Sequence, residues 1–196
     1  MSNESSGGDA GTRAARIALR MLVLALPLLA VGCASLSEGQ CLKGNWLAIG
    51  KKDAVNGYPP SRLNDHFDAC GEYGVQPDPT LYERGYQQGV VLYCVPQSGF
   101  HEGRYNSTYY RQCPREMEGA FLAAWEAGSD VSAIDSQISD LDSRISGLQD
   151  KIKDKDTSDD KRKDLRRRVS DLKDERERRQ WDRDRLLERA GRRGYL

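Results

Sequence analysis

The chain has 196 residues in which 30 Lys and Arg balance 30 Asp and Glu, and it holds only two His. A formal net charge of zero excludes bulk electrostatic attraction to nucleic acid as the organising theme, and two His leave little room for a His-rich metal centre. Charge and aromatic content are unevenly spread. Positions 33–128 hold 8 basic and 11 acidic side chains, positions 129–196 hold 19 and 17, and 13 of the 15 aromatic residues fall between Trp46 and Trp125. Only the middle part therefore has the material for a core.

The first 32 residues read as an address. Arg13, Arg16 and Arg20 precede an apolar run from Met21 to Val31, too short to span a bilayer and the right size for the apolar region of a signal peptide. Gly32-Cys33 after such a run resembles a bacterial lipobox, so Cys33 is expected to carry the lipid as the mature N-terminus. Ala34 stands where an Asp would signal retention, which points to the outer membrane and a periplasm-facing protein. Assigning Cys33 to lipidation leaves Cys41, Cys70, Cys94 and Cys113, an even set that fits two disulfides in an oxidising compartment. His66, four residues before Cys70, keeps a zinc alternative in view, but no C-x-x-C pair accompanies it.

Positions 33–128 predict four short helices. Ser37-Glu38-Gly39-Gln40 has capping-box spacing, with Gly57 where the helix it opens would end. Pro60-Ser61 opens a second helix carrying Leu63, Phe67 and Cys70 on one face and closed by Gly71. Asp78-Pro79 is a cap followed by proline at the first helical position, opening a third helix that runs to about Tyr93. Cys113-Pro114 starts a fourth, ending at Gly128, and Pro96 to Gln112 reads as a loop rich in Gly, Ser, Asn and Tyr. Gly50-x3-Ala54, Gly85-x3-Gly89 and Ala124-x3-Gly128 place small residues four apart, a stripe that lets helices approach closely. Cys41 opens the first helix while Cys70 closes the second, and Cys94 follows the third while Cys113 opens the fourth. Antiparallel neighbours bring those ends together, which selects Cys41–Cys70 and Cys94–Cys113 among the three connectivities.

The lipobox Cys33, Cys41, Trp46-x2-Ile49-Gly50, His66-x3-Cys70, Tyr82-x2-Gly85-x3-Gly89, Tyr93-Cys94, Gly99-x3-Gly103 and Cys113-Pro114 together resemble a proteobacterial envelope lipoprotein family, a domain of unknown function. The resemblance covers about 33–128. It implies export and lipid anchoring and supplies no activity. The charged extension lies outside it.

Val131, Ile134, Ile138, Leu141, Ile145, Leu148 and Ile152 follow a 3,4 spacing, the narrow seam of a coiled coil. After a polar break around Asp154–Asp160, a second seam runs through Arg162, Leu165, Val169, Leu172, Arg176, Arg179, Arg183 and Leu186. Folding back near Asp156 and Thr157 sets each seam position against one in the other arm, Leu141 with Leu172 among them. Positions 129–156 carry 4 basic and 7 acidic residues and 157–196 carry 15 and 10, so opposite arms attract within one chain and like arms repel between chains. The second arm outruns the first and should dock on the fourth helix, with Trp181 and Leu187 available for the contact. The sequence therefore predicts an all-α protein in three parts: a signal peptide (1–32), a disulfide-stapled helical domain (33–128) and an antiparallel coiled-coil hairpin (129–196).

No catalytic, metal or cofactor constellation emerges. Ser98-x2-His101 sits in the Gly-rich segment with no nucleophile elbow, and Asp65 and Asp68 flank His66 at commonplace spacings. Arg166-Arg167-Arg168 reads as a solvated face or a contact for anionic lipid or cell-wall polymer, and Tyr105, Tyr109 and Tyr110 as a second interaction surface. The expectation is a non-enzymatic outer-membrane lipoprotein whose hairpin engages an envelope protein or the cell wall. The alternative is a small periplasmic hydrolase or ligand-binding domain using the Tyr-rich loop 100–110.

Overall fold

The computed structural model describes residues 34–196; the signal-peptide and Cys33 expectations lie outside them. The described residues form seven helices and no strand. None of these helices is long and apolar enough to cross a membrane.

The expected first helix is two. Ser37 opens α1 (Glu38–Lys43) with its N–H donating to Gln40 Oε1 at 2.9 Å. Gly44 then turns left-handed at φ 59° and ends it, a conformation glycine adopts without a Cβ penalty. Asn45 restarts the chain as α2 (Trp46–Val55), its side chain accepting from the Ala48 N–H. Gly44-Asn45 is thus a stop followed by a cap. The second helix, α3, spans Arg62–Gly71. In α4 (Pro79–Tyr93) the Asp78 carboxylate accepts from the N–H groups of Thr80 and Leu81, as the Asp-Pro pair predicts.

Two expectations fail next. Pro96–Arg104 is a helix, α5, and only the residues from Tyr105 to Pro114 form the connection. The expected fourth helix does not end at Gly128. It continues as α6 (Arg115–Lys153), 39 residues without interruption, with Glu116 and Glu118 at its positive end and Lys151 and Lys153 at its negative end. Both errors have one cause. Gly99, Gly103 and Gly128 look like helix breakers, but each is a packing residue. A Cβ on Gly99 or Gly103 would overlap the carbonyl oxygens of Phe121 or Trp125 on α6, and one on Gly128 would overlap that of Phe100 on α5. Close packing offsets the roughly 1 kcal/mol that glycine costs inside a helix. The α2/α4 pair is built the same way: Gly50 faces the Tyr82 carbonyl, Gly85 that of Leu47 and Gly89 that of Lys51.

The disulfides pair as the helix ends require, Cys41 with Cys70 and Cys94 with Cys113. They border a core of Trp46, Tyr82, Tyr86, Val90, Tyr93 and Phe121, closed from the N-terminal side by Leu36. Lys153 ends α6, five residues turn the chain, and α7 (Asp159–Arg192) returns along it. Thr157 Oγ1 and the Arg162 guanidinium donate to the carbonyls of Lys151, Ile152 and Asp154, satisfying acceptors that the end of α6 leaves open. Val131, Ile138, Leu141, Ile145, Leu165 and Val169 are buried along the seam. Arg176 bonds Asp142 across the arms at 3.0 Å. The end of α7 docks as expected, with Leu186, Leu187 and Ala190 against Phe100, Ala124 and Val131. Trp181 does not take part; it is exposed, with the Arg185 guanidinium one helical turn on and 4.7 Å from its ring centre, a cation–π contact.

Candidate functional site

Two features concentrate polar chemistry, and they share no residue. The first is a groove between the hairpin arms. Leu148 on α6 and Leu172 on α7, both half-buried, form its floor. Gly147 leaves one side open, and Arg144, Lys151 and Arg168 with Asp171 stand around a shallow, open groove of about 430 Å³. An apolar floor under three cations from two helices suits an anionic partner with an apolar portion. The seam periodicity predicts the floor. Arg168 belongs to the predicted Arg166-Arg167-Arg168 run, whose three residues are all exposed.

Tyr105 and Tyr110 are exposed as well, but nothing joins them to the arginine run. Tyr105 lies near the base of the hairpin, between Arg104, which bonds Asp135 at 2.9 Å, and Asn106, which donates to Ser132 Oγ. Arg168 stands beside Leu148, about 13 residues or 20 Å farther along α6 than Asp135. Tyr109 differs from its neighbours. Its ring packs on Phe121, its hydroxyl donates to Glu118 at 2.9 Å and it accepts from the Cys113 N–H at 3.3 Å. Burial, reinforced by the bond to Glu118, pushes its phenol up to about 12. Tyr109 thus braces the second disulfide from inside and is less a surface residue than the sequence suggests.

The second feature was not legible beforehand. His66 on α3 is 1 % exposed. Its Nε2 lies 2.7 Å from Asp53 Oδ2 on α2, and its Nδ1 lies 2.7 Å from Ser35 Oγ. The same Asp53 oxygen accepts from the Tyr82 hydroxyl of α4 at 2.9 Å. One chain of bonds therefore joins the N-terminal segment and three helices. Asp65 and Asp68, the sequence neighbours of His66, are not its carboxylate partners. The signal that could have found Asp53 is its place four residues before Gly57 on the face that carries Gly50 and Ala54, where a carboxylate must be paired.

Hydroxyl, imidazole and carboxylate in series is the order of a nucleophilic triad. Here Ser35 Oγ also donates to the Asp65 carbonyl at 2.8 Å, and each imidazole nitrogen has a partner. The arrangement ties the N-terminal segment to α2, α3 and α4. Ser98 and His101 do line one groove with Tyr93, Val55 and Glu102. No hydrogen bond joins them; the His101 ring lies 4.7 Å from that of Tyr105, tilted by 49°, and its Nδ1 lies 3.5 Å from Glu102. The Cys70 sulfur is bonded to Cys41, so the His66-x3-Cys70 spacing serves a disulfide.

Residues 45–130 match a family described as "Protein of unknown function (DUF2799)". The DUF2799 match takes in both glycine-faced helix pairs, the Cys94–Cys113 bridge, and Asp53, His66 and Tyr82. It ends at Asp130, so the rest of α6 and all of α7 lie beyond it. No curated protein and no solved structure matches the chain.

Proposed function

We propose that this is a non-enzymatic, lipid-anchored protein of the bacterial outer membrane, facing the periplasm, whose hairpin binds another envelope protein or a cell-wall polymer. The basic, apolar and Gly-Cys sequence of positions 13–33 supports the anchor, with Cys33 as the lipidated residue. The observation that carries the binding reading is the groove of Leu148 and Leu172 beneath Arg144, Lys151 and Arg168. It lies on the part of the chain beyond the DUF2799 match, and its cations point to an anionic partner.

A photo-crosslinking residue at position 147 in the full chain, activated in intact cells, tests this. The expected result is an adduct with one envelope protein or with cell-wall material that is lost in Arg144→Glu/Arg168→Glu. If the adduct forms unchanged in that double variant, or only from position 105 or 110, the hairpin groove is not the binding surface.

A further inference from the structure

The lipid anchor has almost no tether, and we propose that the small helical domain is seated directly on the lipid headgroups through the surface around the Cys41–Cys70 bridge. This inference rests on the lipid-anchor reading of Cys33 given above. It starts from where the fold begins. Ser35 is held by two contacts, to His66 Nδ1 and to the Asp65 carbonyl. Leu36 is 6 % exposed within the core, and Ser37 caps α1. The chain is therefore fixed from its third mature residue. Two residues of extended backbone reach about 7 Å, so Ser35 cannot stand farther than that from the lipid-bearing residue. A flexible spacer of the kind that would let a domain float free is missing.

The surface near that attachment has the character of a headgroup contact. Leu42 on α1 is 63 % exposed and Tyr73, just after α3, is 39 % exposed. They flank one disulfide: Leu42 follows Cys41, Tyr73 lies three residues after Cys70, and the two cysteine Cα atoms are 5.4 Å apart. Lys43, also exposed, adjoins Leu42. A single exposed Leu needs no explanation. An exposed Leu, Tyr and Lys, each within three residues of a bridged cysteine, supply the residue types of an interfacial patch, where the aromatic ring sits at headgroup depth and the cation meets lipid phosphate; Glu38 and Glu72, exposed beside them, balance the charge, so the contact rests on Leu42 and Tyr73. The occupant proposed is the membrane that holds the protein's own lipid. Ser35–His66–Asp53 then acts as the latch that transmits the anchor's position to α2, α3 and α4.

The test uses the full chain, processed in cells, purified and placed in phosphatidylethanolamine–phosphatidylglycerol vesicles carrying a headgroup nitroxide. A fluorescent residue is introduced at position 42 or 73, both exposed enough to accept it. Mass analysis of Cys33 reports the lipid separately. In lipidated protein the label should lose most of its emission. A twenty-residue Gly-Ser insert after Ala34 should restore it, since such a linker has a root-mean-square reach of about 25 Å. Lipidated protein with unquenched labels at both positions overturns the seating, quenching unchanged by the insert overturns the part given to the short tether, and both leave the anchor reading intact. Cys33 without lipid overturns the anchor reading, and the seating with it.

Discussion

Asp53 is one carboxylate oxygen with two hydrogen-bond donors, the Tyr82 hydroxyl and His66 Nε2, in a site closed to water. Removing one donor leaves the acceptor half-served, at a cost of about 1–3 kcal/mol. Tyr82→Phe should therefore lower the unfolding free energy, measured by urea titration, by that amount. His66→Phe should cost more, because it also frees Ser35; a His66→Phe protein as stable as the parent would show that the chain of bonds contributes nothing. Burial raises the phenols of Tyr82, Tyr86 and Tyr93, and Tyr109 reaches about 12. An unfolded tyrosine ionises near 10. Between those values the unfolded chain has released protons that the folded one keeps, so stability is whole below about pH 10 and falls as pH rises toward about 12. Tyr109→Phe should make that decline shallower, as followed by unfolding midpoints across the alkaline range. At this scale the sequence shows little. His66 and its flanking acids stand out in the chain, but Asp53 lies 13 residues away on another helix, and only packing reveals it.

The helix pairs α2/α4 and α5/α6 are held backbone to backbone by glycine. Gly85→Ala and Gly103→Ala should each destabilise by about 1–3 kcal/mol through overlap with a carbonyl, despite a helix-propensity gain of about 1 kcal/mol. Gly119, in α6 with open space around it, is the control: Gly119→Ala should stabilise by up to about 1 kcal/mol. Equal effects at the three positions in urea unfolding would mean propensity alone is at work. The stripe of small residues is visible in the sequence of α2, α4 and α6. In α5 the same device is hidden, because Gly99 and Gly103 beside Ser, Asn and Tyr carry the composition of a loop. The caps at Ser37 and Asp78 are the most legible features, since their bonding partners lie two or three residues away; the Asn45 cap is hidden inside what reads as one longer helix.

One helix belongs to three packings. Phe121 of α6 sits in the disulfide-bordered core, Val131 meets the returning α7 and Phe100, and Ile138 to Ile145 line the hairpin seam. Leu141→Asp would put a carboxylate into a buried seam position in place of an apolar side chain, costing several kcal/mol. It should open the hairpin to protease while both disulfides persist in non-reducing mass mapping; retained protease resistance would show that the seam does not hold the arms. Ala133 is exposed on α6 between the second and third packings. Ala133→Pro breaks the helix there for about 3 kcal/mol and should let the hairpin be cleaved away from a still-folded remainder. The periodicity announces the hairpin and its closing direction. It does not announce that the helix of the core and the first arm are continuous, because Gly128 looks like an end until α5 is seen against it. That continuity makes α6 a lever. At about 1.5 Å per residue its 39 residues span about 58 Å, so a tilt of about five degrees at the Phe121 end sweeps the tip through about 5 Å, and a pull on the tip arrives as torque on the core beside the Cys94–Cys113 bridge.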